Sequence, residues 1–185
     1  MILFFSILAA YLLGSVPTGF VIAALTKKVD IRAHGSGNVG ATNVFRVAGK
    51  AAAIGTLIGD ILKGTLAVTL IAALTYRCGT SLSYQELAVL LGCVVVAGHI
   101  YSIFLNFKGG KGVATSAGVL VVLCPKLLGI GLAVFILIFI CTRIVSIGSI
   151  LSSLSIVAGA YLFSVDPAIR FLNIVLAVMI IARHK

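Results

Sequence analysis

Acidic side chains are nearly missing from this sequence: Asp30, Asp60, Glu86 and Asp166 stand alone against fourteen lysines and arginines, a formal charge of +10 in 185 residues. Tryptophan is absent, proline occurs three times, and charged residues make up only 10%. So little charge cannot cover a water-exposed surface, which excludes a soluble globular domain. With 61% hydrophobic residues and a mean hydropathy of +1.26, the chain reads as an integral membrane protein. A basic excess often signals nucleic acid, but here the basic residues sit in short loops between apolar runs. No basic, aromatic-studded soluble domain exists to carry nucleic-acid binding, and that function is set aside. The four cysteines, Cys78, Cys93, Cys124 and Cys141, lack C-x-x-C spacing and imply neither a disulfide frame nor a zinc site.

What is present is long apolar runs. A helix needs roughly 20 apolar residues to cross about 30 Å of hydrocarbon. The runs 2–25, 51–75, 86–105, 127–142, 144–165 and 168–182 are read as spans by that measure. The first has no positive n-region and no A-x-A cleavage site before Pro17, so it reads as a retained span and not a signal peptide. Residues 113–123 reach only about 17 Å as a helix and need tilt, a thinned bilayer or shielding by neighbours. Pro125 separates them from the next run. Counting 113–123 gives seven transmembrane helices in an all-α fold, with the N-terminus outside and the C-terminus inside. Lys27, Lys28, Arg32, Arg46, Lys50, Lys108, Lys111, Arg143, Arg183 and Lys185 then face the cytoplasm, leaving Arg77, Lys126 and Arg170 outside. The expected organisation is one transmembrane domain, 1–185, with cytoplasmic motif segments 26–50, 106–112 and 183–185. No repeat period divides it into matched halves, which weighs against the inverted-repeat plan of secondary transporters.

Two glycine-rich polar stretches interrupt the apolar pattern. Asn106-Phe-Lys-Gly-Gly-Lys-Gly-Val-Ala-Thr115 places Lys108 and Lys111 among Gly109, Gly110 and Gly112, and this is read as an anion nest followed by a helix whose N-terminus aims at the anion. It is not a Walker A loop, because Lys111 is followed by glycine. The alternative is a pair of lysines that only set topology. The stretch His34–Asn43 offers Ser36, Gly37, Asn38, Thr42 and Asn43, with Arg46 in reach to bind a phosphate bidentately. Its Gly35-x-Gly37-x-x-Gly40 matches the dinucleotide fingerprint, but no βαβ unit can surround it between membrane spans. A loop that merely meets water is the alternative. In the third span His99 needs a partner, for hydrogen bonding or as a base. Asp60 and Lys63 share a helical face and can neutralise each other, either as a packing pair or in support of a substrate site. Gly55-x-x-x-Gly59 reads as a close helix-packing surface. Neither His34 nor His99 begins an H-x-x-x-x-D motif, and no G-x-S-x-G elbow exists, so an acyl transfer would run directly between bound substrates.

Taken together, Gly14-Ser-Val-Pro-Thr-Gly19, Asp30-Ile-Arg32, the block Gly35–Asn43 with Arg46, Asp60-Ile-Leu-Lys-Gly64 and Gly98-His99 through Phe107–Thr115 resemble the bacterial acyl-phosphate-dependent glycerol-3-phosphate acyltransferases. The resemblance covers nearly the whole chain. It implies a seven-helix enzyme of the bacterial inner membrane with its active site facing the cytoplasm. Its substrates would be acyl phosphate and glycerol-3-phosphate, and its product lysophosphatidic acid, at the first acylation of phospholipid synthesis. It implies activity carried by Ser36 and Arg46, phosphate binding by Lys108 to Gly112, and a third motif with a histidine at His184 and an asparagine shortly beyond. That asparagine and the family's basic tail are not in the sequence, which ends at Lys185. Candidate catalytic residues are therefore Ser36, Arg46, His99, Lys111 and His184, with Gly37, Asn38, Thr42, Asn43, Lys108, Gly109, Gly110 and Gly112 expected to bind substrate. No cofactor or metal is expected, membrane lipid is the surrounding partner, and the chain is expected to be a monomer. A small phosphate or organophosphate transporter is the competing reading.

Overall fold

The computed structural model describes residues 1–184, and among them only helices form. Lys185, read above as a cytoplasmic charge, lies outside the described residues. The helices are α1 (Ile2–Ser15), α2 (Thr18–Lys27), α3 (Ala41–Ala48), α4 (Lys50–Leu66), α5 (Ala72–Arg77), α6 (Tyr84–Ile100), α7 (Val113–Leu123), α8 (Pro125–Thr142), α9 (Val145–Leu162) and α10 (Pro167–Ala182). Five continuous or nearly continuous helical stretches are long and apolar enough to cross a membrane: Ile2–Lys27, Lys50–Arg77, Tyr84–Leu105, Pro125–Thr142 and Val145–Leu162. Val113–Leu123 and Pro167–Ala182 are shorter apolar helices.

The run 2–25 is not one unbroken helix. Pro17 cannot donate a backbone hydrogen bond, and the chain turns there between α1 and α2, with Thr18 N–H donating to Val16 O at 3.0 Å. Within the motif segment 26–50, just overlapping the end of its glycine-rich stretch, lies the amphipathic helix α3. The expected separation of 113–123 from 127–142 holds, with the break at Cys124-Pro125. Between α4 and α5 the helix widens to a π turn over Ala67–Ile71. Within that stretch the Val68 carbonyl accepts the Tyr84 hydroxyl at 3.1 Å.

Helix α6 is the centre. Leu87, Leu91, Val95, Val96 and Ile100 are fully buried, packed among Val68, Val119, Leu172 and Leu176. Close crossings rest on glycine. A Cβ on Gly14 would run into the Val95 carbonyl, and one on Gly98 into the Tyr11 carbonyl, so α1 and α6 touch backbone to backbone. The short α7 is shielded the same way against α4, where Gly64 meets the Thr115 carbonyl and Gly118 the Ile61 carbonyl. Gly55 and Gly59 pack on Ile22 and Thr18 of α2, as their spacing predicts.

Three of the four acids serve local structure. Asp30 caps the turn at Ile31–Ala33 and pairs with Arg32 at 2.7 Å, which holds its carboxyl down at about 2. Glu86 completes a capping box with Ser83 at the start of α6, and Asp166 caps α10. The fourth, Asp60, is buried inside the helical bundle.

Candidate active site

The first glycine-rich stretch is built around the carboxamide of Asn43, which is 2% exposed. Its Oδ1 accepts from Ser36 N–H at 2.9 Å, and its Nδ2 donates to Asn38 O at 2.9 Å, His34 O at 3.0 Å and Ile31 O at 3.3 Å. Two N–H groups cannot serve three acceptors in full, so one is shared. Asn43 therefore holds the loop, and its donors are already used. Asn38 Oδ1 in turn accepts from Gly40 N–H at 2.8 Å. Gly35 takes φ of +60°, and a Cβ there would also strike Asn43 Oδ1. The framework leaves the Ser36 side chain and Arg46 exposed, Arg46 one helical turn beyond Thr42 on α3.

The second stretch does not open as an amide nest. Lys108 N–H donates to Leu105 O at 3.1 Å, Gly109 N–H to Ile100 O at 3.0 Å, and Gly110 N–H to His99 O at 3.1 Å. These amides fold the segment back onto the end of α6. Its glycines are required by contact: a Cβ on Gly109 would strike the His99 carbonyl, and one on Gly110 the His99 imidazole. Lys108 is exposed and, like Gly37, Gly109 and Gly110, stands off the cavity wall. Lys111 and Gly112 line the cavity, with Lys111 Nζ donating to Ser146 Oγ at 3.4 Å. Partial burial, with the Arg183 charge, pushes the Lys111 ammonium below its ordinary value. Arg183 itself donates to Gly109 O at 3.3 Å, tying the end of α10 to this segment.

One cavity of about 610 Å³ gathers Ser36, Asn38, Thr42, Asn43, Arg46, His99, Lys111, Gly112 and His184. His184 Nδ1 stands 2.8 Å from Ile180 O. A carbonyl only accepts, so Nδ1 carries the hydrogen and Nε2 is left to the cavity. Burial pushes this imidazole below its ordinary value; the bond to Ile180 opposes the shift and the Lys111 charge adds to it.

Three helix N-termini meet at the same cavity: α3 through Gly40–Thr42, α7 through Gly112–Ala114, and α9 through Ile144–Ser146. None has a side-chain N-cap bond or an acid in its first turn. The Gly40 and Ile144 amides are taken by Asn38 Oδ1 and Thr142 Oγ1, which leaves those of Ala41, Thr42, Val113, Ala114, Val145 and Ser146 as unclaimed donors at the positive ends of helix dipoles. Each is accompanied by a cation on the wall: Arg46, Lys111 and Arg143, respectively. Ser116, in the opening turns of α7, is 2% exposed and its hydroxyl has no partner among the described residues. Such an arrangement is suited to an anion. Away from that mouth the wall turns apolar, through Leu120, Leu128, Leu132, Phe135 and Ile156 of α7, α8 and α9.

Beneath the mouth, Lys63 Nζ pairs with Asp60 at 2.9 Å and donates to Val16 O at 3.2 Å, and His99 Nδ1 stands 3.6 Å from Asp60. The anticipated ion pair forms. The place of Asp60 beside His99 on the cavity wall was not legible at three-residue spacing. Arg143 and the serines of α9 were missed as well. Ser146, Ser149 and Ser153 recur every three or four residues in an apolar span, which is a readable polar stripe.

The profile of the glycerol-3-phosphate acyltransferase family matches residues 4–185. The glycerol-3-phosphate acyltransferase of Bacillus subtilis strain 168 is 41% identical over 180 residues, 97% of this chain and 88% of that one. Its counterpart in Syntrophotalea carbinolica is 41% identical over 178 residues, 96% and 88%. Crystal structures of PlsY (YgiH), an integral membrane glycerol 3-phosphate acyltransferase, superpose with TM-scores of 0.87 for the glycerol 3-phosphate form and 0.86 for the lysophosphatidic acid form, each at 38% identity. They cover 98% and 99% of this chain, and the chain covers 88% of each. A cationic mouth over an apolar groove, in a helical membrane protein matched along nearly its whole length, accords with these matches, which place the chain in the glycerol-3-phosphate acyltransferase family as an integral membrane acyltransferase.

Proposed function

We propose that the chain transfers the acyl group of an acyl phosphate to the 1-hydroxyl of glycerol-3-phosphate, giving lysophosphatidic acid and inorganic phosphate in the first acylation of phospholipid synthesis. The observation that carries this reading is the convergence of three uncapped helix N-termini with Arg46, Lys111 and Arg143 at the head of an apolar groove. Two phosphates must stand close together for this reaction, and such a mouth offers charge and amide donors for both. The groove takes the acyl chain. A transporter would place charged groups near the midplane of several spans; here Asp60 is the one buried acid among the described residues, and it is neutralised by Lys63, with His99 beside it.

Transfer is direct. The glycerol hydroxyl oxygen attacks the acyl carbon, the carbon–oxygen bond to phosphate breaks, and the hydroxyl proton passes to an oxygen of the departing phosphate. An acyl phosphate is a mixed anhydride whose leaving group is a weak base, so its departure needs charge stabilisation more than a strong acid. Ser36, Arg46 and Lys111 supply that and hold the two substrates in line. His99 faces Asp60 through Nδ1 and Gly110 through its far edge, and acts by positioning the second motif. His184 turns Nε2 toward the substrates. Gly37, Gly109 and Gly110 contribute by shaping the two motifs, and Lys108 by drawing anions to the mouth.

Seven crossings with the N-terminus outside satisfy the positive-inside bias and put motif segments 26–50, 106–112 and 183–185 in the cytoplasm of a bacterial inner membrane. The chain acts as a monomer, one transmembrane domain over 1–185.

Purified protein in lipid is expected to release phosphate from palmitoyl phosphate only when glycerol-3-phosphate is present, to form lysophosphatidic acid, and to be inert with palmitoyl-CoA. Turnover with the thioester alone would sink the donor assignment. Ser36→Ala keeps the backbone bond to Asn43 and removes only the hydroxyl, so kcat is expected to fall about 10–100-fold with the fold intact. Near-normal turnover would remove Ser36 from the site.

A further inference from the structure

Arg143 entered the sequence reading only as a topological charge, yet it stands on the wall of the cavity with no ion pair or hydrogen bond to its side chain among the described residues. It occupies the position just past the end of α8 in a left-handed conformation, φ 59°. That position is usually glycine, because a side chain there costs roughly 1 kcal/mol. A positive charge at a helix C-terminus is favourable in itself. That accounts for the charge but not for its place on the wall.

We infer that Arg143, with Ser146 and the unclaimed first-turn amides of α9, holds the phosphate of the acyl donor. This rests on the transfer reading above. Glycerol-3-phosphate has no tail, and its position is set entirely by polar contacts. The donor is an amphiphile, so its phosphate must sit where its chain enters the groove. Leu57 and Ile61 of α4 and Leu120 of α7 add to the apolar wall, but α8 and α9 supply Leu128, Leu132, Phe135 and Ile156, and Arg143 lies in the turn that joins these two helices. Arg46, by contrast, belongs to α3, which contributes nothing to the apolar wall beyond its first turns. Lys111 shares the cavity wall with both cations, is linked to Ser146 at 3.4 Å, and serves both phosphates. Two phosphates held side by side repel, and a separate guanidinium for each keeps both bound.

The test pairs kinetics with equilibrium binding of hexadecyl phosphate, which has tail and phosphate but no carbonyl to cleave. Arg143→Gln is expected to raise KM for palmitoyl phosphate and Kd for hexadecyl phosphate at least tenfold, leave KM for glycerol-3-phosphate within twofold, and be partly rescued in Arg143→Lys. Arg46→Gln is expected to shift the glycerol-3-phosphate KM more than the donor's. Unchanged hexadecyl phosphate binding in folded Arg143→Gln, in a system where the wild type turns over palmitoyl phosphate, overturns this assignment and leaves the transfer reading standing. Wild-type protein that binds hexadecyl phosphate through Arg143 but transfers from no acyl phosphate overturns the transfer reading and keeps the site. A shift falling equally on both substrates overturns the division of labour.

Discussion

Asp60→Ala is expected to lose about 3–5 kcal/mol of stability, enough to leave little monodisperse protein after extraction. The carboxylate is 3% exposed and faces Lys63 at 2.9 Å, and Lys63, 4% exposed, also donates to Val16 O. Removing the acid strands an ammonium in an apolar interior, which costs far more than the pair contributes when both members are present. The double variant Asp60→Leu/Lys63→Met has no charge to strand and similar volume, so most of the lost stability is expected to return. Its transfer rate is expected to stay at least tenfold down, because His99 no longer has a carboxylate at 3.6 Å to fix its ring. Thermal unfolding in detergent, followed by far-UV circular dichroism, reads the first effect and phosphate release the second. Wild-type stability in Asp60→Ala would show that the pair holds nothing together. Full activity in the folded double variant would reduce it to packing alone.

The sequence carried the fold class because hydropathy and charge placement are properties of runs, and a run survives without knowledge of its neighbours. Segment 113–123 was recognisable as an apolar helix that needs tilt, a thinned bilayer or shielding to count as a crossing, but not what shields it. That answer lies in Gly64 and Gly118, whose missing side chains let α4 and α7 touch, and glycine in a helix announces close approach without naming the partner. The cavity was legible in its outline, since Ser36, Arg46, His99, Lys111 and His184 do meet there. The chemistry of its glycines was less so. Gly109 and Gly110 suggested amides turned to an anion, whereas the structure turns those amides to the carbonyls of Ile100 and His99. The available amides belong instead to helices α3, α7 and α9, and which helix starts face one another is a long-range fact that spacing does not encode.

That difference makes Gly110 the sharpest place to perturb the site. Gly110→Ala puts a methyl group against the imidazole of His99, which is 7% exposed and backed by Asp60, so the ring has no room to retreat. The backbone must yield instead. Gly110 is followed at once by Lys111, Gly112 and the first turn of α7, all on the cavity wall, so the displacement moves a cation and a helix N-terminus together. An error of about 1 Å at reacting groups costs on the order of 10²-fold, and loss of aligned donors a similar factor, so kcat/KM is expected to fall about 10²–10⁴-fold. Stability should drop by only about 1–3 kcal/mol, the usual cost of one inserted methyl group. The cause can be isolated by relieving the crowding from the other side: Gly110→Ala/His99→Ala has space for the methyl group. If steric displacement of the second motif is the mechanism, that double variant must outperform Gly110→Ala and approach the rate of His99→Ala alone. A double variant no faster than Gly110→Ala would mean that glycine is needed at position 110 for its backbone, and that His99 is not the surface against which the second motif is set.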